Sequence, residues 1–283
     1  MSTSPPPTTA VFVAAYNQAE SLTLVLAALA AAPRTDFEVH VADDGSAPRM
    51  EERLHGEVEA LPFPMTFHWQ EDRGFRKAEI LNAAVLTTKA ELLIFLDGDC
   101  IPSRNLVEVY RRAHRPREFS VGSVGFLDLG FSRALDRAAV ERGDHESALD
   151  RVQRWKIRRT HWKNLLHRGG KGVRPRIRGG NFAVNRALFD EVDGFDEVFG
   201  GHGKEDSDLR NRMRNAGAKG VSLWTTARAF HLDREVTPSG AREQAPPELY
   251  AEGRRRVRAR RGLSAHPGAS EPGWDGPGPA SPA

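Results

Sequence analysis

The sequence predicts an α/β protein in which helices cover both faces of a mostly parallel sheet. Short apolar segments recur along the chain, helical patterns separate them, and each of the first four segments stops at polar or acidic residues. Continuous apolar runs are typical of strands buried on both faces, and alternation with helices is typical of parallel sheets. The carboxyl ends of such strands lie along one edge, where ligands of open α/β sheets bind.

The predicted elements follow one another with short connections. Strands are predicted at residues 10–15, 37–42, 65–70 and 92–96, with helices at 22–32, 48–60 and 77–87 between them. Later we predict helices at 105–114, 185–192 and 209–216, strands at 120–126 and 220–224, and a glycine turn feeding a strand at 178–184. The polar residues that follow the strands would meet in one crevice, and they are Tyr16, Asn17, Asp43, Asp44, Gly74, Lys77, Asp97 and Asp99.

Composition limits the classes of function. The chain has 283 residues and a net charge of +3, which is too small to predict a nucleic-acid partner. A single cysteine, Cys100, excludes an internal disulfide framework and fits a reducing compartment. The N-terminus lacks the features of a signal peptide, and no apolar stretch is long enough to span a bilayer. The first strand is not followed by Gly-X-Gly-X-X-Gly, so a dinucleotide site of that type is not predicted.

A single folded domain is expected over residues 10–235. Residues 1–9 are a polar, proline-rich lead, and residues 236–283 are a Pro/Gly/Arg-rich tail. Segments of such composition bury too little apolar surface to fold alone, so both are expected to be mostly disordered.

The buried strand within residues 92–102 ends in Asp97-Gly98-Asp99. Two carboxylates this close at the end of a buried strand are costly without a cation, and carboxylate oxygens suit a hard divalent ion. The alternative is a simple turn, because Asp-Gly is a common turn dipeptide. The residues alone leave both interpretations open.

A second feature is the basic segment from Arg151 to Arg178, which holds eleven Lys or Arg and no acidic residue. Its apolar and aromatic residues share one helical face with Arg159, and they are Val152, Trp155, Trp162 and Leu166. The favoured interpretation is a helix whose Trp residues pack on the sheet while its charges face water. The other is a surface for an anionic lipid or an anionic acceptor.

A third feature is the acidic group Glu205, Asp206 and Asp208, which opens a helix after a glycine-rich stretch. Acidic residues at a helix N-terminus stabilise the helix dipole, so capping alone could account for them. The preceding glycines, in contrast, allow a ligand to approach the backbone closely.

Several short motifs occur together in order. They are Ala15-Tyr16-Asn17, Asp43-Asp44-Gly45-Ser46, Arg73-Gly74-Phe75-Arg76-Lys77-Ala78, Leu96-Asp97-Gly98-Asp99-Cys100-Ile101-Pro102, Gly179-Gly180-Asn181-Phe182-Ala183-Val184, Gly194-Phe195-Asp196 and Glu205-Asp206-Ser207-Asp208-Leu209. This set resembles family 2 glycosyltransferases of the GT-A fold, a Rossmann-like fold. The second half resembles the galactosyltransferase-like C-terminal region of chondroitin-type polymerases. The resemblance covers residues 11–234.

The resemblance implies a role for each matching residue. Tyr16, Asn17, Glu20 and Asp44 would line the nucleotide pocket, with Asp44 accepting from the uracil N–H; Arg73, Gly74 and Lys77 would face the diphosphate. Asp99 and His231 would bind Mn²⁺ or Mg²⁺, with Asp97, next to Gly98, touching the ribose or reaching the ion through water. His202 is a less favoured replacement for His231. Residues 10–126 would form the nucleotide-binding half and residues 127–235 the acceptor and catalytic half.

The resemblance also implies an activity. A hexose or N-acetylhexosamine would pass from a UDP-sugar, with inversion, to a saccharide or lipid-linked acceptor in cell-surface polysaccharide synthesis. Asp206 would be the base, Glu205 would grip donor or acceptor, and Asp208 is the fallback base. The protein would be cytoplasmic. Peripheral contact with an anionic membrane through residues 151–178 is the alternative interpretation of the basic segment.

Two other functions stay open. One is a sugar nucleotidyltransferase, but such enzymes usually carry a glycine-rich basic loop after the first strand. This chain has Tyr16-Asn17-Gln18-Ala19-Glu20 there, which argues against that function. A non-catalytic basic binding module is supported only by residues 151–178.

Overall fold

The computed structural model describes residues 8–58, 60–166, 174–177, 179–200, 204–233 and 255–267. His202 lies outside these residues. None of the helices in these ranges combines the length and apolarity needed to cross a bilayer. The glycine turn is described at Gly179 and Gly180, and the lead is described from Thr8 onward.

A seven-stranded sheet forms the centre of the fold. The strands of the protein are β1 (Thr9–Ala15), β2 (Glu38–Asp43), β3 (Met65–Trp69), β4 (Leu92–Asp97), β5 (Cys100–Pro102), β6 (Glu118–Val121), β7 (Ser123–Phe126), β8 (Asn181–Asn185), β9 (Lys219–Ser222) and β10 (Arg228–His231). The order in the large sheet is β3-β2-β1-β4-β8-β6-β9. Strands β1 to β4 run parallel, whereas β8 is antiparallel to both β4 and β6. The predicted mostly parallel sheet is therefore confirmed.

Helices cover both faces of this sheet. They are α1 (Ala19–Ala30), α2 (Met50–Val58), α3 (Lys77–Leu86), α4 (Leu106–Ala113), α5 (Leu129–Ala134), α6 (Arg137–Arg142), α7 (Arg151–Leu166), α8 (Arg186–Glu191) and α9 (Glu205–Asn215). Alternate residues of β1 enter two separate core clusters: Val11 and Val13 pack with α1, while Ala10 and Phe12 pack with α3 and α8. This alternation is the period of a strand that is buried on both faces.

A small second sheet lies at the carboxyl end of β4. It has the order β5-β10-β7, and the chain reaches it directly from β4 through Gly98 and Asp99. The single strand predicted at 120–126 is two strands, since β6 joins the large sheet and β7 joins the small one. The break at Gly122 thus redirects the chain from one sheet to the other.

Residues 255–267, part of the C-terminal tail that was predicted to be mostly disordered, pack on the domain. The amide of Leu263 donates to the carbonyl of Asp193 across 3.1 Å, and the Leu263 side chain is buried beside α3 and α8. The predicted lead is one residue too long because Thr9 begins β1. The other residues of the tail, 236–254 and 268–283, lie outside the described residues.

The favoured interpretation of the basic helix is also wrong. Trp155 and Trp162 of α7 are 58% and 65% exposed, so they do not pack on the sheet. The inward side of α7 is held mostly by polar groups, and Ile157 is its buried apolar residue. Helical periodicity correctly groups the Trp residues on one face, but that face points to solvent.

Candidate functional site

The end of β4 places Asp97 and Asp99 between the two sheets. The amide of Gly98 donates to the carbonyl of Ala14 in β1 across 2.7 Å, which holds the turn against the neighbouring strand. Asp99 then faces β10, where Nε2 of His231 lies 3.4 Å from its Oδ2. The amide of Leu232 donates to the carbonyl of Asp99 across 2.9 Å. The backbone therefore fixes the spacing of Asp99 and His231.

Lys77 lies among the acidic side chains of Asp97, Glu205 and Asp206. Its Nζ lies 2.5 Å from Oδ1 of Asp97, at the N-terminus of α3. Burial opposes the charge on Lys77, but Asp97, Asp206 and Glu205 outweigh it and raise the pKa of this amine. One ammonium thus serves several carboxylates that converge from β4 and α9.

Two of the carboxylates around Lys77, those of Glu205 and Asp206, are buried. Burial raises the pKa of Asp206 to about 7, and Glu205 and Asp97 add to the effect while Lys77 opposes it. Burial likewise raises the pKa of Glu205, and burial with the charge of Asp97 raises that of Asp99. Within the described residues, Oε2 of Glu205 and Oδ1 of Asp206 are buried without a hydrogen-bond partner. Groups of this kind at a strand edge are typical of functional sites.

The glycine turn before β8 brings the two acidic elements together. A Cβ at Gly179 would lie 3.0 Å from Oδ2 of both Asp97 and Asp206, and 3.5 Å from Nζ of Lys77. A Cβ at Gly180, whose φ is +71°, would lie 2.9 Å from Oδ2 of Asp97. Residues without side chains are needed here because backbone, carboxylates and ammonium approach so closely.

The donor atoms at Asp99 fit a hard divalent ion. Nε2 of His231 and Oδ2 of Asp99 lie 3.4 Å apart, so the two donor atoms are close enough to share one divalent ion. Asp97, Asp99 and Cys100 each offer one ligand atom, and these three atoms lie within 4.8 Å of one another. Burial, with the charges of Asp99 and Asp97, raises the pKa of the Cys100 thiol, so it stays protonated and is a poor ligand. The fitting donor set is Asp99 with His231, and Asp97 adjoins it.

A second polar group follows β2 and β3. Asp44 accepts from Nε2 of Gln70 across 2.5 Å and from the amide of Arg76 across 2.9 Å. Burial raises the pKa of Asp44 to about 6 although these hydrogen bonds oppose it. Arg76 directly precedes α3, so the same helix start links Asp44 to Lys77. The sequence prediction missed Gln70 and Arg76; the position of Gln70 at the end of a predicted strand was the available signal.

The loop after β1 joins this second group. Asn17 has a φ of +53°, and its Oδ1 accepts from the amide of Ala47 across 3.2 Å. The hydroxyl of Tyr16 donates to Asp72 across 2.8 Å. The amide of Asp44 donates to the carbonyl of Ala15 across 3.0 Å, so Tyr16, Asn17 and Asp44 lie at adjacent strand ends. Asp72 is a further residue that the sequence prediction did not include.

Three predicted nucleotide-site residues lie at the exposed margin. Glu20 is exposed in the first turn of α1. Arg73 is 71% exposed and pairs with Glu71 across 2.6 Å. Gly74 is exposed, and no heavy atom lies within 4 Å of the place where its Cβ would be.

Two acidic candidates have structural partners. Asp208 forms a buried ion pair with Arg212, with Oδ2 to Nε at 2.6 Å, so it turns away from Lys77 and is a poor base. Asp43 accepts from the amides of Ser46 and Met50, each across 2.9 Å, and so holds the start of α2 instead of lining the crevice.

Curated proteins with known activities match most of this chain. Polypeptide N-acetylgalactosaminyltransferase 6 of Mus musculus is 29% identical over 215 residues, which are 71% of this chain and 34% of that protein. Validoxylamine A glucosyltransferase of Streptomyces hygroscopicus subsp. jinggangensis is 29% identical over 242 residues, 82% of this chain and 56% of that protein. Chondroitin synthase of Escherichia coli is 26% identical over 240 residues, 79% of this chain and 34% of that protein. The chain thus spans between a third and a little over half of these relatives.

Solved glycosyltransferase structures share the fold. The mannosyltransferase PcManGT from Pyrobaculum calidifontis, in complex with GDP-Man and Mn²⁺, superposes with a TM-score of 0.53 at 19% identity, covering 89% of this chain and 70% of that one. GalNAc-T7 with UDP, GalNAc and Mn²⁺ gives 0.55 at 15% identity, covering 81% and 44%. The fold is therefore the GT-A fold of these enzymes.

Family comparison agrees with the fold. The second half matches the N-terminal domain of galactosyltransferase over residues 164–235. The glycosyl transferase family 2 model matches residues 10–192, which is more than half of the chain. With its GT-A fold and its relatives among named glycosyltransferases, the chain belongs to glycosyl transferase family 2.

Proposed function

We propose that this glycosyltransferase moves a hexose or N-acetylhexosamine, with inversion, from a UDP-sugar to a saccharide or glycolipid acceptor in cell-surface polysaccharide synthesis. The observation that carries the proposal is the meeting of Asp97, Asp99, Lys77, Glu205, Asp206 and His231 beside the pocket around Asp44. Family membership sets aside the nucleotidyltransferase and the non-catalytic alternatives. Residues 10–126 act as the nucleotide-binding half and residues 127–235 as the acceptor and catalytic half. We also propose that the enzyme acts at the cytoplasmic face of a membrane, which it would contact through helix α7.

Asp99 and His231 would hold Mn²⁺ or Mg²⁺, and Asp97 would either reach the ion through water or contact the ribose. The imidazole favours Mn²⁺, because nitrogen ligands suit transition metals better than Mg²⁺. Two solved relatives of the fold carry Mn²⁺ with a nucleotide or nucleotide-sugar, which supports this assignment. When bound, the ion stabilises negative charge on the departing diphosphate. The surplus of carboxylates over Lys77 is a further reason to expect a cation here.

The pocket around Asp44 binds the uridine. The Asp44 carboxylate accepts the uracil N–H, since a charged acceptor makes the stronger hydrogen bond. Tyr16 and Asn17 border the same pocket, and Glu20 lies on the adjoining turn. Lys77, at the start of α3, faces the diphosphate, and a helix N-terminus favours such an anion. Arg73 and Gly74 lie on the exposed loop before it.

Asp206 is the base for the acceptor hydroxyl. It takes the hydroxyl proton as the acceptor oxygen forms a bond to the anomeric carbon and the bond from that carbon to the diphosphate oxygen breaks. Attack on the face opposite the leaving group inverts the configuration. A base with a pKa near the working pH is the most effective, and the pKa of Asp206 is about 7. Glu205, beside it, grips donor or acceptor hydroxyls.

Calorimetric titration with UDP, first with Mn²⁺ and then with EDTA, tests the proposal. We expect binding that EDTA abolishes. Asp99→Asn should abolish the Mn²⁺-dependent binding of UDP. Cys100→Ser, which changes the neighbouring buried thiol, should retain that binding. Binding that ignores EDTA, or equal loss in both variants, would remove Asp99 from the metal site. With UDP-sugars, release of a product of opposite anomeric configuration, measured by NMR, checks inversion.

A further inference from the structure

Helix α7 turns its apolar stripe away from the protein. Val152, Trp155, Trp162 and Leu166 are 56%, 58%, 65% and 81% exposed. At 3.6 residues per turn these positions fall on one side of the helix and extend along about 20 Å of it. Four large apolar side chains in one exposed row exceed the scattered single residues that ordinary surfaces carry.

The inward side of α7 is fixed by polar contacts, so the stripe cannot turn inward without breaking them. Gln153 pairs with both backbone groups of Phe126 in β7, with distances of 2.9 and 2.7 Å. Asn164 and His161 contact the hydroxyl of Ser222 in β9 at 3.1 and 3.2 Å. Ile157 is buried between these anchors. The helix is therefore seated with its polar face on the protein and its apolar face outward.

Positive charges flank the stripe on both sides. Exposed Arg151 and Arg158 lie on one side and exposed Lys156 on the other, with Arg159 on the stripe itself. The guanidinium of Arg159 lies over the ring of Trp155, 5.3 Å from its centroid. Residues 151–178 contain no acidic residue in the sequence. An apolar row between basic rows, with Trp in the row, is the composition of helices that lie in the interface of anionic membranes.

We propose that α7 docks on an anionic lipid surface, with Trp155, Trp162 and Leu166 in the headgroup region and the flanking cations on lipid phosphates. Charge complementarity selects this occupant over a protein groove. The aliphatic Val152 and Leu166 select it over a saccharide, which offers them no apolar interior. The stripe supplies burial, and the cations supply attraction to the anionic leaflet.

The contacts that hold α7 on the domain also link its exposed surface to the catalytic crevice. Gln153 holds the backbone of Phe126, and the ring of Phe126 packs on His231 with 5.1 Å between centroids. Phe126 is itself 56% exposed. Docking through α7 therefore brings the His231 side of the crevice close to the lipid surface. This step rests on the proposed function, and it selects a lipid-linked acceptor over a soluble saccharide.

Co-sedimentation with vesicles tests the docking. The full chain is mixed with phosphatidylcholine vesicles, with or without about one-third phosphatidylglycerol. We expect binding to the anionic vesicles only, weakening with salt, with a blue shift of Trp fluorescence. The double variant Trp155→Ser/Trp162→Ser should lose binding. Lys156→Gln/Arg158→Gln should bind about 30-fold more weakly, whereas the charge-matched control Arg53→Gln/Lys89→Gln, at exposed sites elsewhere, should bind as the parent does.

Several outcomes would overturn the docking. They are a parent protein that stays in solution, equal binding to neutral vesicles, full binding by the Trp variant, and equal weakening by the control pair. A parent dimer that the Trp substitutions dissociate would assign the stripe to a second copy instead. Competition by a soluble anionic polysaccharide would assign it to an acceptor. UDP affinity, measured on every variant, separates these results from failure of the proposed glycosyl transfer, because none of the substituted residues borders the UDP pocket.

Discussion

The Nζ atom of Lys77 lies 2.5 Å from Oδ1 of Asp97, which joins the start of α3 to the end of β4. The same ammonium is near Asp206 and Glu205 of α9, whose charges raise its pKa. Lys77 therefore both holds the acidic elements together and presents a cation to the proposed diphosphate site.

Replacing Lys77 separates phosphate binding from base recognition. Lys77→Gln removes a charge-assisted hydrogen bond, so UDP affinity should fall by about tenfold or more. Uridine has no phosphate, and its affinity should not change. Calorimetry with both ligands measures the difference. An equal loss for uridine would mean that Lys77 acts on the whole pocket and not on the diphosphate.

Substitution of Asp206 should lower turnover, whereas substitution of Asp208 should lower stability. Asp206→Asn should lower kcat by roughly a hundredfold or more because the base is lost, and should keep UDP affinity. Asp208→Asn leaves Arg212 buried without its 2.6 Å partner, so the free energy of unfolding should fall by about 3 kcal/mol or more. Progress curves and urea denaturation of both variants measure this. Full turnover in Asp206→Asn would move the base elsewhere.

The affinity for uridine should depend on pH through Asp44. Its pKa is about 6, so the ionised acceptor predominates above that pH and the neutral acid below it. Uridine binding should therefore weaken as the pH falls from about 7 to 5, approaching tenfold per pH unit at the lower end. Uridine is the suitable probe because it lacks the titrating phosphate of UDP. Asp44→Asn should give a flat profile, and a parent profile that is equally flat would exclude Asp44 as the acceptor.

The C-terminal segment should contribute stability. The hydroxyl of Ser264 donates to Asp193 across 2.8 Å, and Nε of Arg261 donates to the buried Glu197 across 3.1 Å. Deletion of residues 255–283 should therefore lower the melting temperature, while deletion of residues 268–283 should not. Leu263→Ala alone should cost about 2–3 kcal/mol, because it opens a cavity against the core. Equal melting temperatures for both truncations would mean that the segment adds nothing to stability.

Much of the fold could be predicted from local pattern. The apolar runs that end at Asp44 and Asp97 are short, continuous and bounded by turns, and those features directly predict buried parallel strands. The structure confirms these strands and their shared edge. The meeting of Asp97 with Lys77 follows from the same reasoning, since Lys77 begins the helix that leads into β4.

Other features depend on contacts that no local pattern encodes. Periodicity groups Trp155 with Trp162 but gives no sign of which way their face points, and polar contacts to Phe126 and Ser222 decide it. Asp206 and Asp208 each have an arginine four residues later, Arg210 and Arg212, so the i,i+4 spacing does not distinguish them. The 2.6 Å pair with Arg212 identifies Asp208 as the structural acid. The Arg-rich tail reads as disordered because its partners, such as Asp193, lie far away in sequence.

The switch of the chain from β4 to β5 has a consequence for folding kinetics. Asp97 ends a strand of the large sheet, and two residues later Asp99 pairs with a sheet completed by β10, close to the end of the domain. Pairing of strands that are distant in sequence is slow, because loop closure must precede the contacts that reward it. During synthesis the proposed uridine site can thus form early from β1 to β3, whereas His231 reaches Asp99 only after nearly the whole domain has left the ribosome. Capture of a metal ion at Asp99 and His231 would therefore report a late step of folding.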